Sequence, residues 1–346
     1  MGRMLKAFRC LLIILSALVF ILGGLGAFRA HQFAQYANPR EVSVLIKKGA
    51  SVKKIANQLK EQNIVRDALL FEAFVRFFSK GRFIGAGEYE FAQGLKLRGI
   101  VERLLCGKVL RHKLTIPEGF RASEICALLV AKKMTPADAC LARVQDIGFL
   151  KEPAGATSLE GYLFPETYFY ERDDTLVSLL EQMTQLFYQK VENALTRSDR
   201  QTTRPLHQLV TLASIIEKET AVAQERRLIA GVFVNRLDRG MLLQSDPTVI
   251  YGIDNYDGNI RKSDLEKDTP YNTYTRTGLP SGPICNPGLA SLEAAINPER
   301  TPFLYFVAKG DGSHHFSETL TEHNRAVSEY QRRRPKANDT TADKGE

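Results

Sequence analysis

The hydrophobic pattern changes character repeatedly along the chain. After MGRMLKAFRC, with Arg3, Lys6 and Arg9, the run from Leu11 to Phe28 carries no charge and is long enough to cross a bilayer as one helix. VSVLIKK then alternates as a strand does. GASVKKIANQLKEQNIV places Ile55, Ala56 and Leu59 on one face of a helix that Ser51 can cap. DALLFEAFVRFFSKG reads as a second helix, GEYEF as a strand, LRGIVERLLCGK as a helix and RHKLTIP as a strand.

The sequence of strand, helix, helix and strand resembles a LysM-like module, a small fold used to hold N-acetylglucosamine polymers. The same residues also suit any capped amphipathic helix pair. From PEGFRASEICALLVAKK to PADACLARVQDIGFL the pattern is helical, and TSLEGYLFPETYFY then breaks it with Gly161, Pro165 and several aromatics. DTLVSLLEQMTQLFYQKVENAL is a long amphipathic helix. The next helix, begun near Pro205, has a polar stripe of His207, Thr211, Ser214 and Lys218, with every other position up to Ile216 apolar.

These patterns predict an α+β protein in seven stretches: a cytoplasmic N-terminus (1–9), a transmembrane helix (10–28), a linker (29–40), a LysM-like module (41–118), a helical connection (119–156), a mixed α/β catalytic domain (157–330) and a disordered tail (331–346). The cations before the apolar run place the N-terminus in the cytoplasm and all that follows Arg29 beyond the inner membrane, in the periplasm. A cleaved signal peptide is the competing reading, and the length of the run favours the anchor.

Composition changes this picture little. The 346 residues hold 47 Lys and Arg against 39 Asp and Glu, a net charge of +8. That excess would suit an anionic partner, but part of it sits beside the span and in the tail, and export argues against nucleic acid. Of the five cysteines, Cys10 lies at the membrane edge. Cys106, Cys126, Cys140 and Cys285 have no metal-ligand or CxxC spacing and read as scattered buried thiols, with one unassignable disulfide an alternative. No phosphate loop or metal-ligand cluster appears, so neither cofactor nor metal is expected.

The candidate chemistry lies at the end of the buried helix, in TLASIIEKETAVAQERR. Glu217 and Glu219 fall about 100° to either side of Lys218, at the two borders between stripe and core. A carboxyl desolvated there would have a raised pKa and could serve as a general acid. Periodicity does not choose between them, and a solvated helix end is the plain alternative. Downstream, LLQSDPTVIYG and TPYNTYTRTGLPSGPICNPG read as loops rich in Asn, Tyr, Gly and Pro. They suit sugar recognition as well as simple connection.

LASIIEKET, QSDPTVIYG, YNTYTRTGLPSGPICNPG, LYFVAKGDGSHHFS and EHN, preceded by IPEGF and EGYLFPETY, together resemble the YceG-like family of endolytic murein transglycosylases in order and spacing. What the resemblance implies is a membrane-anchored enzyme that cuts nascent peptidoglycan strands internally, between N-acetylmuramic acid and N-acetylglucosamine, and leaves 1,6-anhydro ends. It implies peptidoglycan synthases, the penicillin-binding proteins, as partners. The first acid of its EKE motif is carried onto Glu217 as the catalytic residue. Glu219 takes a supporting place in the substrate shell with Gln244, Asp246, Asn272, Tyr274 and Asn286. Asp246 has a structural rival, since an Asp before Pro247 commonly organises a turn. His314 matches the family's histidine, His315 does not, and a histidine beside Phe316 reads as structural. Ser281 stands where a second proline is usual, which touches no assigned acid. A non-catalytic glycan-binding scaffold, and a hydrolase in which Glu219 or Asp246 activates water, are the rival readings.

Overall fold

The computed structural model describes residues 2–152, 154–198, 202–220 and 222–332. The expected tail lies outside the described residues from 333 onward. The chain divides into two compact units, 1–113 with 169–174, and 114–168 with 175–346.

The first unit begins with α1 (Gly2–Gln35), of which Ile13–Gln35 is long and apolar enough to span a bilayer. The helix does not stop at Phe28. Nothing from Arg29 to Gln35 breaks a helix, and Phe33 is buried in the unit's core, so the expected linker is helical for most of its length. Then come β1 (Val42–Ile46), α2 (Val52–Glu61), α3 (Ala68–Phe78), β2 (Gly87–Phe91), α4 (Leu97–Leu105) and β3 (His112–Thr115, whose last two residues fall in the second unit).

β1 and β2 pair antiparallel with Val44 opposite Tyr89 and Ile46 opposite Gly87. The alternation read in β1 buries Val44 and Ile46. Ser51 caps α2 by accepting from the Lys54 amide, and Asp67 caps α3 by accepting from the amides of Leu69 and Leu70. The apolar faces of α2 and α4 close the core with Ile55, Leu59, Ile100 and Leu104.

The second unit contains α5 (Ala122–Ala131), α6 (Ala137–Val144), β4 (Thr167–Tyr170, whose last two residues fall in the first unit), α7 (Leu176–Arg197), α8 (Leu206–Glu219), α9 (Arg226–Asp238), α10 (Asp246–Tyr251), α11 (Lys262–Glu266), α12 (Leu289–Ile296), β5 (Tyr305–Ala308), β6 (His314–Ser317) and α13 (Leu320–Val327). The stretch expected as a helical connection is thus part of this unit. A disulfide joins Cys126 of α5 to Cys140 of α6, so the reading of scattered thiols is corrected: a bonded pair lies one helix apart. Cys106 and Cys285 are free thiols.

At the centre of this unit α8 packs against α9, α10 and α12. Every residue from Leu209 to Ile216 is buried, including two members of the polar stripe. Thr211 and Ser214 return their hydroxyls to the helix backbone, on His207 O and Thr211 O. Ser214 Oγ also accepts from the Ile284 amide. The 281–286 loop therefore lies over Ser214, Lys218 at the end of the stripe stays exposed, and His207 is held by Tyr162 across 2.8 Å. Gly161, at φ +88°, lets the chain pass this packing; a Cβ there would stand 2.6 Å from Pro283 and 2.7 Å from Val210.

Candidate active site

Glu217 and Glu219 are two residues apart on α8, so their side chains leave the helix about 200° apart and meet different surroundings. Glu217 Oε2 accepts from the Gly288 amide at 3.0 Å, next to Glu118 of the IPEGF stretch. Burial, and then the charge of Glu217, hold the Glu118 carboxyl above the usual carboxylate range. Between them Lys218 donates to Gly119 O.

Glu219 looks into a cleft of about 460 Å³ lined also by Arg236, Gln244, Asp246, Tyr274 and His314. Its Oε1 accepts from Ser245 Oγ. Desolvation raises its pKa and the neighbouring charge of Asp246 adds to the rise, while the Ser245 hydroxyl, His314 and Arg236 oppose it. Of the two acids of EKE, the first, expected as the catalytic one, faces Gly288 and Glu118, outside the lining of this cleft. The cleft belongs to the second.

The rest of the lining comes from elements that the sequence read as loops. LLQSDPTVIYG is not all loop: Ser245 stands at the N-cap, Pro247 in the first turn, and 246–251 close into α10. Asp246 is thereby fixed at the start of a helix and accepts from Tyr274 O–H at 2.5 Å. Gln244, just before it, is held at φ +48°, a left-handed conformation uncommon for a residue with a side chain. Its amide donates to Thr273 O, and the Ser245 amide to Thr273 Oγ1, which ties the 269–288 loop to α10.

Arg236 of α9, buried, donates Nε to Leu304 O and Nη1 to Leu243 O, both at 2.7 Å. It fastens the approach to β5 and the 242–243 turn around the cleft, and its desolvation lowers its own pKa. His314 lines the cleft too. Glu225 grips it twice, at the amide and at Nδ1 (2.7 Å), and so fixes its ring.

Two expected members of the substrate shell stand elsewhere. Asn272 is buried; it donates to the carbonyls of Asp264, Leu265 and Lys267, and its Oδ1 accepts from the Tyr274 amide. Its amide is spent on holding the loop that carries Tyr274. Asn286 is fully buried. Its Oδ1 accepts from the amides of Gly161 and Leu163, and its Nδ2 donates to Phe120 O and Glu160 Oε1. Asn286 thus has both donors and both acceptor sites engaged, and Asn272 has its amide nitrogen fully engaged.

Ser245, Arg236, Glu225 and Glu160 were not singled out from the sequence. Ser245 had the one available signal, its place between Gln244 and Asp246. Glu160 is a buried carboxyl that accepts from the Ala122 amide, Asn286 and Tyr251, and burial lifts its pKa to about 7.

A desolvated acid beside a second carboxyl, in an open polar cleft edged by hydroxyl and amide side chains, is the arrangement of acid-assisted cleavage of a glycan. The chain belongs to the YceG-like family, whose model matches residues 44–329. It is 35% identical over 306 residues to the endolytic murein transglycosylase of Bacillus subtilis (strain 168), covering 84% of each protein. It is 30% identical over 329 residues to the endolytic murein transglycosylase of Streptococcus pneumoniae (strain R6), covering 84% of this chain and 58% of that one. A crystal structure of a YceG-like protein from Listeria monocytogenes superposes with a TM-score of 0.57 at 32% identity, over 83% of this chain and 98% of that one.

Proposed function

We propose that the protein is an endolytic murein transglycosylase, a lyase that cleaves the bond from N-acetylmuramic acid to N-acetylglucosamine inside nascent peptidoglycan strands. The observation that carries the mechanism is the desolvated Glu219 carboxyl opening into the cleft beside Asp246. Because Oε1 accepts from Ser245, the acidic proton resides on Oε2. Glu219 gives that proton to the glycosidic oxygen as the bond breaks. The carboxylate then takes the proton of the muramic C6 hydroxyl, which attacks its own anomeric carbon and closes the 1,6-anhydro ring.

No water enters, and an attacking group already on the sugar avoids the entropic cost of recruiting a second reactant. The Asp246 carboxyl, steadied by Tyr274, faces the positive charge that develops on the ring. Gln244 and Tyr274 supply polar contacts to the sugar, while Asn272 and Asn286 build the loops. Asp246 beside the acid also favours a second reading, hydrolysis with Asp246 activating water. Mass spectrometry of the products from purified peptidoglycan separates the two. Anhydro ends from the wild type and none from Glu219→Gln support the lytic reaction, and reducing ends one water heavier overturn it.

The setting follows from the first unit. α1 is read as a single-pass anchor in the cytoplasmic membrane, with Arg3, Lys6 and Arg9 on the cytoplasmic side and both units in the periplasm. The Cys126–Cys140 disulfide suits that oxidising side. The strand, helix, helix and strand order of β1, α2, α3 and β2 supports a LysM-like module over 41–118, and 157–330 holds the proposed catalytic apparatus. Synthases that extrude new strands at the membrane are the proposed partners, with internal cuts setting strand length.

A further inference from the structure

We propose that the first unit binds anionic phospholipid through a basic, aromatic patch formed by α3, residues 79–83 and the facing side of α4. The inference rests on reading α1 as a membrane span.

Phe77 is 80% exposed, Phe83 90% and Leu69 75%. Three large apolar side chains in so short a stretch form more apolar surface than a water-facing helix usually shows. They alternate with cations: Arg76, Lys80 and Arg82 are exposed, and the one acid of α3, Glu72, is already paired with Arg76 at 2.8 Å. Beside the patch a slot of about 160 Å³ runs between α3 and α4. Phe74, Phe78, Val101 and Leu105 form its walls, and Arg82 and Arg98 also line it, with Glu102 as the single acid. An apolar slot bordered by two guanidiniums suits an acyl chain under a phosphate.

The location makes a lipid surface the occupant. The last residue of α1, Gln35, accepts from Lys96 Nζ at 3.0 Å, and Arg98 follows Lys96 by two residues. Ala37 bridges Lys96, Tyr36 O–H donates to Asn63 O, and Phe33 enters the core, so this end of the unit is fixed to the span without a free joint. The seven residues from Arg29 to Gln35 rise about 10 Å as a helix, which is headgroup height. Cations at that height meet the phosphates of the leaflet, and exposed aromatic rings beside them enter the interface.

The chain has no tryptophan, so Phe83→Trp introduces a single indole at a site outside the core. The full chain carrying it is reconstituted into vesicles of phosphatidylglycerol with phosphatidylcholine, and into phosphatidylcholine alone, each with and without brominated acyl chains. Blue-shifted emission quenched by the bromine in anionic vesicles, and lost in the Lys80→Glu, Arg82→Glu background, is expected. Water-like, unquenched emission in every vesicle overturns the proposal. Equal quenching with and without phosphatidylglycerol overturns the anionic selectivity. Blue-shifted emission that ignores bromine in all vesicles means a protein surface covers Phe83, which also overturns it. Phe20→Trp, inside the apolar run, reports on the anchor separately. If that indole is unquenched the span reading has failed, whereas a quenched Phe20→Trp beside an unquenched Phe83→Trp rejects the patch alone.

Discussion

Ser245 donates its hydroxyl to Glu219 Oε1, joining the last residue of α8 to the N-cap of α10. In the proposed mechanism this contact occupies Oε1 and leaves Oε2 to carry the acid's proton, with Glu219 as the acting member of the EKE pair. Glu219→Gln should lower turnover by about 10²- to 10⁴-fold, the range of a lost general acid. Glu217→Gln should leave turnover within about tenfold of wild type, since its contact is a single loop amide worth about 1 kcal/mol. Initial rates of strand cleavage for both variants check this, and the reverse ranking would return the role to Glu217.

The acid must be protonated to act, so activity is expected below the Glu219 pKa and lost as pH rises through it. Burial extends the active window upward, and the charge of Asp246 extends it further. Asp246→Asn removes that charge and should move the alkaline limb of kcat against pH to lower values. A limb that stays in place would mean that another group sets it.

Glu160 makes stability, as distinct from activity, depend on pH. Its folded pKa of about 7 lies above the ordinary 4.5. The sign is therefore that of an acid whose charged form is disfavoured by folding: its contribution is fully present below pH 4.5 and is lost as pH rises to about 7. The full span corresponds to roughly 3 kcal/mol. Urea unfolding of the wild type at pH 5 and pH 8, beside Glu160→Gln, should show a steeper decline in the wild type. Parallel declines would contradict the assignment.

Asn286→Ala should act as a structural lesion. It leaves the buried amides of Gly161 and Leu163 without acceptors, at about 1–3 kcal/mol each. The midpoint of urea unfolding should fall accordingly, with KM little changed in the fraction that remains folded. A large KM effect at unchanged stability would instead make Asn286 a sugar contact.

The disulfide offers a fifth contrast. Cys126 and Cys140 are 14 residues apart, and closing a loop of that size is worth about 3 kcal/mol. Replacing both by Ser should lower Tm, and a reductant should lower the wild-type Tm while leaving the variant's unmoved.

The contrast between Glu217 and Glu219 shows where sequence reading ends. Both acids, the buried helix and the order of strands and helices in the first unit follow from local periodicity, and the structure has them where the pattern puts them. Which acid meets a cleft depends on α10 and the 269–288 loop, which are remote in sequence from the helix end. The same holds for Thr211 and Ser214. A polar stripe signals water unless a loop lies over it, and here the 281–286 loop lies over Ser214. Asn272 and Asn286 sit in stretches that look like sugar loops, yet their amides are engaged by backbone groups, and for Asn286 also by Glu160, that only the folded chain brings near. Arg236 and Glu160 gave no local sign at all. Cys126 and Cys140 could not be paired until α5 and α6 had been packed.

With α1 read as the anchor, its continuity with the first unit makes bilayer thickness a mechanical variable. The uncharged run Leu11–Phe28 is about 27 Å long as a helix. A thinner hydrocarbon layer accommodates such a length by tilt. Because Phe33 locks the helix end into the core, a tilt of α1 is a rotation of the whole first unit about the membrane plane. Lipid composition thus sets the angle at which that unit addresses its surroundings, without any change in its fold.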